Sequence, residues 1–68
     1  MTTLDFTVTG MTCQHCVASV TEEVSELAGV QDVTVDLASG RLHVEGDVTP
    51  AQVQAAVAEA GSYTAQPA

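Results

Sequence analysis

Gly10-Met11-Thr12-Cys13-Gln14-His15-Cys16 holds both cysteines of the 68-residue chain, with two residues between them. Before it, Leu4-Asp5-Phe6-Thr7-Val8-Thr9 alternates apolar and polar side chains, the pattern of a half-buried strand that Gly10 ends. After it, Val17, Val20, Val24 and Leu27 recur at helical spacing, while Ser19, Glu22, Glu23 and Glu26 fall elsewhere. That spacing predicts a helix from about Cys13 to Ala28, with Thr12 as its N-cap and Gly29 at the C′ position. The cysteine pair therefore falls on a strand-to-helix turn, where unpaired backbone N–H groups and the helix dipole favour thiolate over thiol. Thiolate is the form that binds soft metals.

Further along, Val30 to Leu37 alternates again, with Val33, Val35 and Leu37 facing inward and Asp32, Thr34 and Asp36 outward. Ala38-Ser39-Gly40 is a short turn, and Arg41 to Glu45 is a third strand with Leu42 and Val44 inward, so these two strands pair as a hairpin. After the loop Gly46-Asp47-Val48, Thr49-Pro50-Ala51-Gln52 opens a second helix with a capping Thr, a Pro at the first position and a Gln three after the cap. Val53, Ala56, Val57 and Ala60 line its buried face and Gly61 ends it. Ser62 to Gln66 is a short last strand, with Pro67-Ala68 frayed beyond it. The order β-α-β-β-α-β predicts an α+β fold: a ferredoxin-like sandwich with a four-stranded antiparallel sheet, both helices on one face and solvent on the other.

Residues 1–68 read as one small domain, of a size at which many chains need a metal, a disulfide or a partner to hold together. Eleven valines, four leucines and ten alanines can make a compact core, since alanine lets helices approach a sheet closely. The net charge is −8, Arg41 being the only Arg and Lys being absent. That balance argues against nucleic-acid binding and against anionic membrane surfaces. No apolar run approaches the ~20 residues of a membrane span, so no membrane insertion is expected. Met1-Thr2-Thr3-Leu4-Asp5 lacks the basic and apolar regions of a signal peptide, and the initiating Met1 reads as the start of a free-standing, cytoplasmic protein.

Four chemistries suit a lone C-x-x-C. A structural disulfide would close a very small loop in a reducing compartment. A thioredoxin-type redox pair fits the motif, but the chain is short for that fold, with no Trp before the motif and no Pro inside it. Structural zinc wants four ligands, and the sequence offers neither a second C-x-x-C nor an H-x₃-H. A two-coordinate soft-metal site remains, and Cu(I) is the ion content with two thiolates.

Gly-Met-Thr-Cys-Gln-His-Cys followed by V-x-x-V, on a βαββαβ pattern spanning essentially the whole chain, resembles the heavy-metal-associated (HMA) domain, and is most similar to bacterial CopZ-like copper chaperones. The resemblance implies the ferredoxin-like fold, Cu(I) held by Cys13 and Cys16, and delivery to copper-transporting P-type ATPases, with no catalysis. The same family fold also occurs as soluble N-terminal domains of those ATPases and as periplasmic mercury carriers, so an ATPase domain and a carrier of Hg(II) or Zn(II) stay open beside a dithiol redox protein. Met11 matches the family's Met, which packs beneath the loop. His15, at the start of a helix, projects sideways and tunes the neighbouring thiolates when protonated. Tyr63 falls near the family residue that approaches the metal loop from beyond the second helix, although Ser62 separates it from Gly61 where many relatives join the two.

His43, on an outward strand position, reads as solvated. Cys13, at the open end of the helix, is expected to be the more acidic thiol, with Cys16 a turn in among apolar neighbours. A two-coordinate ion on a surface loop keeps room for a third thiolate, so a copper-bridged homo-oligomer is expected. A partner carrying Lys or Arg beside its own cysteines would complement Glu22, Glu23 and Glu26.

Overall fold

The computed structural model describes residues 2–68; the Met1 of the N-terminal reading lies outside them. The elements run β1 Thr2–Thr9, α1 Gln14–Ser25, β2 Val30–Asp36, β3 Arg41–Gly46, α2 Pro50–Ala60 and β4 Thr64–Pro67. The four strands make one sheet in the order β2-β3-β1-β4, every neighbouring pair antiparallel. This is the ferredoxin-like arrangement expected from the alternation of the strands and the two helical periods.

The central ladder, β1 against β3, sorts the two faces. Leu4 lies opposite Val44 and Phe6 opposite Leu42 on the inner face, and Asp5 lies opposite His43 and Thr7 opposite Arg41 on the outer one. Phe6, Leu42, Val44, Val20, Val24, Val53 and Val57 are fully buried together, the two helices covering the inner face. Each such side chain contributes about 1.5–3 kcal/mol relative to exposure. Only one aromatic ring, Phe6, enters this core, and small Ala56 and Ala65 complete it, so α2 seats close to the sheet. Gln54 Nε2 donates to Ala65 O at 3.1 Å and ties α2 to β4. No helix among the described residues is long and apolar enough to cross a membrane.

The second helix starts as its sequence dictates. Thr49 Oγ1 accepts from Gln52 N at 3.2 Å, Gln52 Oε1 accepts from Thr49 N at 2.9 Å, and Pro50 fills the first turn. The first helix differs from expectation at both ends. Cys13, not Thr12, is the N-cap, with an extended backbone and no side-chain cap bond, because the Thr12 hydroxyl is turned toward the Cys16 sulfur. The helix stops at Ser25 with Glu26 as C-cap, three residues short of Ala28, and Leu27 and Val30 continue in turn hydrogen bonds. Gly29 does have a positive φ (+97°), but it serves the turn into β2 rather than the helix end.

Differences appear elsewhere too. Leu37 falls after the end of β2, in the turn, where the chain has already left the ladder. β4 begins at Thr64, not Ser62, and Pro67-Ala68 is not frayed: Pro67 lies opposite Phe6, and Ala68 N donates to Asp5 O at 2.9 Å. Proline is tolerated there because β4 is an edge strand. His43 is outward but not merely solvated: its Nδ1 is 2.8 Å from Asp5 Oδ1 and its Nε2 3.6 Å from Glu45 Oε2. The hydrogen bond to Asp5 holds its pKa above the ordinary imidazole value.

Between Val30 and Asp32 the β2–β3 register shifts, leaving Gln31 as an extra residue opposite Gly46 and Glu45. Gly46 makes this bulge possible, since a Cβ there would run into the Gly29 carbonyl oxygen and lie 2.8 Å from Val30 Cα and 2.9 Å from Gln31 N. All three are backbone atoms with little freedom to move. Gly46→Ala is therefore expected to cost about 2–4 kcal/mol from overpacking and backbone strain together. Urea unfolding of the two proteins measures it, and a loss below about 0.5 kcal/mol, the level of a neutral surface change, would show that the bulge yields.

Candidate metal-binding loop

The loop between β1 and α1 carries Met11, Thr12 and Cys13 to the helix start. Cys13 ends the extended segment and is exposed; Cys16 lies in the first turn and is half-buried. Backbone hydrogen bonds from Cys16 N (3.0 Å) and Val17 N (3.3 Å) to Cys13 O close that turn. Side chains on a helix lean toward its N-terminus, so the Cys16 sulfur points back into the loop. It comes to rest 3.7 Å from the Cys13 sulfur and 3.8 Å from Thr12 Oγ1. Both thiols are free.

The donors of the loop converge on Cys16. The Thr12 backbone N–H is the largest influence, followed by the Tyr63 hydroxyl, with smaller help from the Thr12 hydroxyl and the Cys13 N–H. Together they outweigh desolvation and bring the Cys16 thiol from its ordinary value down to about 6. Tyr63, in turn, is pushed up, first by its hydrogen bond to Cys16 and then by burial and the nearby sulfurs. The sequence-based expectation placed the favoured thiolate on Cys13. The expectation misplaced the donors: it counted the open helix end and missed that a side chain one turn in folds back among the loop amides.

The other predicted residues separate. Met11 is half-buried and packs against the core beneath the loop. His15 is exposed on the first turn of α1 and is not among the groups acting on the Cys16 sulfur. Tyr63, from the α2–β4 connection, does reach the cysteines. Among the described residues no third His, Cys, Asp or Glu joins the pair as a metal-ligand cluster. The sequence reading missed Thr12 as a sulfur contact, having assigned its hydroxyl to the helix cap. The adjacency of a hydroxyl to C-x-x-C was the available sign. A shallow recess of about 380 Å³ lies between the helices, floored by Leu27, Ala55 and Ala56 and rimmed by Glu23, Glu26 and Glu59, away from the sulfurs.

Residues 5–62 match the heavy-metal-associated domain. The chain belongs to the heavy-metal-associated domain family. This HMA domain is 45% identical over 47 residues to copper chaperone CopZ of Bacillus subtilis, covering 69% of this chain and 68% of that one. It is 43% identical over 61 residues to the COP-associated protein of Helicobacter felis, covering 85% and 91% of the two chains. Among solved structures it is similar to a copper binding domain from HMA7, a P-type ATPase, at a TM-score of 0.94 and 30% identity, covering 100% of this chain and 95% of that one.

For this HMA domain the thiolate is the reactive form, so Cys16 alkylation should accelerate as pH rises and level off above about 6. The rate of iodoacetamide labelling against pH, followed in a Cys13→Ser background, gives the inflection. Thr12→Val should move it upward part of the way, since the backbone N–H donors remain. An inflection in the ordinary cysteine range with Thr12 in place would show that the loop does not favour the thiolate.

Proposed function

We propose that the chain, acting as one domain, is a cytoplasmic Cu(I) metallochaperone. Cys13 and Cys16 hold the ion, which passes by thiolate exchange to the soluble metal-binding domain of a copper-transporting P-type ATPase, without catalysis by the chain itself. One observation carries the reading: two free sulfurs, 3.7 Å apart on an exposed loop, with Cys16 poised as thiolate near neutral pH. Two sulfurs at that separation can both bond one ion at roughly 2.3 Å, a typical metal–thiolate length, leaving its outer side open. The match to a copper chaperone of Bacillus subtilis and to a P-type ATPase's copper binding domain supports copper as the cargo. Two soft thiolates without imidazole or carboxylate suit Cu(I) better than the four-ligand preference of zinc.

Exchange follows from the asymmetry of the pair. Cys13 is the exposed sulfur, on the N-cap, with the shorter reach to an incoming partner. An acceptor thiolate joins the ion from the open side and Cys13 leaves, and a second acceptor thiolate then displaces Cys16, so that the ion keeps at least two sulfur ligands throughout. In this sequence Cys16 is the tethered ligand: the Thr12 and Cys13 amides and the hydroxyls of Thr12 and Tyr63 receive its negative charge when the ion departs. The same open side admits the sulfur of a second copy, which gives a copper-bridged homo-oligomer when no acceptor is present. The likeness to an ATPase's copper binding domain also supports a second reading, that the chain is itself such a domain and receives the ion rather than delivering it.

Competition between the protein and a Cu(I) chelator, run beside a Zn(II) titration, tests the assignment. One Cu(I) per chain is expected, with Zn(II) held more weakly, and sedimentation of the same samples without added thiol should show the loaded form heavier than the apo form. The double variant Cys13→Ser, Cys16→Ser should lose stoichiometric binding. Tight one-to-one Cu(I) binding by that variant would overturn the reading.

Charge should set the rate of delivery. Glu22 on α1 and Glu26 at its C-cap are exposed, Glu23 on α1 is half-buried, and Arg41, the single Arg, lies on the opposite face of the sheet. A partner with Lys or Arg beside its cysteines is therefore steered to the α1 side of the chain, Glu22 being the nearest of the three in sequence to the loop, over a screening length of roughly 8–10 Å. Each exposed pair adds only about 0.2–1 kcal/mol, suiting a transient encounter. Stopped-flow transfer to an acceptor domain should slow with added salt and with Glu22, Glu23 and Glu26 changed to Gln; transfer indifferent to both would leave those carboxylates as solvated side chains only.

A further inference from the structure

On the outer face of the sheet, away from the helices, both ion-pair contacts found among the described residues run through His43. Its Nδ1 lies 2.8 Å from Asp5 Oδ1, across the β1–β3 ladder, and its Nε2 lies 3.6 Å from Glu45 Oε2, further along β3. A carboxylate only accepts, so Nδ1 donates to Asp5, and the neutral ring keeps its lone pair on Nε2. That lone pair and the Glu45 oxygen are then two acceptors side by side. At 3.6 Å they stand too far apart for a hydrogen bond. They have instead the spacing of two ligands on one ion. Zinc bonds of about 2.0–2.2 Å to nitrogen and oxygen, meeting at the tetrahedral angle, set the two ligand atoms roughly 3.4 Å apart.

We infer that His43 Nε2 and the Glu45 carboxylate form a cation site on the open face of the sheet, separate from the cysteine loop, for a borderline divalent metal ion of the zinc type. Asp5 is its positioning residue. A metal-bound imidazole donates its other N–H to a carboxylate, which fixes the tautomer and raises the basicity of the ligating nitrogen. Here that partner is in place at 2.8 Å. Imidazole and carboxylate suit zinc, whereas the soft thiol pair suits Cu(I), so the two sites differ in the ion they prefer. The ligands stand on the two central strands, β1 and β3, whose backbones are paired on both sides. Among the described residues no third His, Cys, Asp or Glu closes the set, so water completes the shell. Asp32, exposed on β2 and opposite Glu45 in the register, is the nearest further carboxylate in that ladder. Arg41 lies along β3 on the other side of His43 from Glu45, which leaves the carboxylate end of the row to the cation.

The site shares no residue with the thiol pair, so it stands or falls apart from the Cu(I) reading. The test is a Zn(II) titration of the double variant Cys13→Ser, Cys16→Ser, in mildly alkaline buffer where no proton competes for Nε2. Nitrogen NMR of the imidazoles follows the two histidines, His15 being exposed and serving as the reference for a lone ring. Zn(II) should move the Nε2 signal of His43 at concentrations that leave His15 unchanged, while His43 Nδ1 keeps its proton. Asp5→Asn should weaken the binding about 10–100-fold, the usual cost of losing such a partner. Glu45→Ala should reduce the response of His43 to that of His15. Should the double variant fail to fold, the parent chain is titrated instead: the thiols take the first Zn(II), and His43 Nε2 must answer to the ion added beyond it. His43 unmoved by excess Zn(II), His43 and His15 responding alike, or affinity indifferent to Glu45→Ala overturns the site.

Discussion

The pairing of β1 with β3 is the constraint on which the remaining structure hangs. It sets Phe6 against Leu42 and Leu4 against Val44 on one face, giving the helices an apolar surface to cover. A slip of one residue in this register would send those side chains to solvent and bring Asp5, His43 and Thr7 into the core. The same ladder fixes where β1 ends, and hence where the cysteine loop leaves the sheet. β4 then pairs on the far side of β1, returning the chain from α2 past the loop. Tyr63 meets Cys16 because one central strand organises both neighbours.

The loop concentrates donors on one sulfur without any full positive charge. The chain holds a single Arg, and it lies on the outer face of the sheet. Stabilisation of the Cys16 thiolate therefore comes from amides and hydroxyls. Neutral donors leave the pair attractive to a cation. A lysine beside the pair would hold the thiolate but repel an arriving cation, whereas oriented dipoles favour the anion at short range and decay quickly with distance. The strong acidity of the surface acts instead over the longer distances where net charge counts.

Two kinds of close approach recur in the fold. At Gly46 and Gly29 backbone lies against backbone, and the bulge in β2 is admitted there. At Gly10 and Gly61 backbone lies against the ring of Tyr63. The first pair shapes the edge of the sheet remote from the cysteines. The second borders the site. With few large side chains available, the chain obtains tight contacts by removing side chains at chosen positions instead of adding bulk.

The alternation in β1, β2 and β3, the helical periods of α1 and α2 and the Thr49-Pro50-Ala51-Gln52 start are local signals, so the fold was legible in the sequence. The pairing of Cys13 with Cys16 was equally plain, because two residues on one helical turn are brought together by local geometry alone. What stayed hidden depended on how the loop folds back on itself and on contacts between segments distant in the chain. Thr12 was taken as a helix cap because only the sulfur one turn on could claim its hydroxyl instead. Pro67 and Ala68 looked frayed because their partners, Phe6 and Asp5, are at the other end of the sequence. His43 looked solvated because Asp5 faces it only through strand register. The acidity of the Cys16 thiol also could not be read in advance, since it rests on that sulfur turning into the loop amides, above all the Thr12 N–H, and then on Tyr63 arriving from beyond α2. Sequence determined the elements and the thiol pair through interactions within a few residues; tertiary structure decided how the loop aims the Thr12 amide at Cys16 and brought in Tyr63 as the second donor, because the path of the loop is set by the strand it leaves and Tyr63 arrives only when β4 pairs with β1.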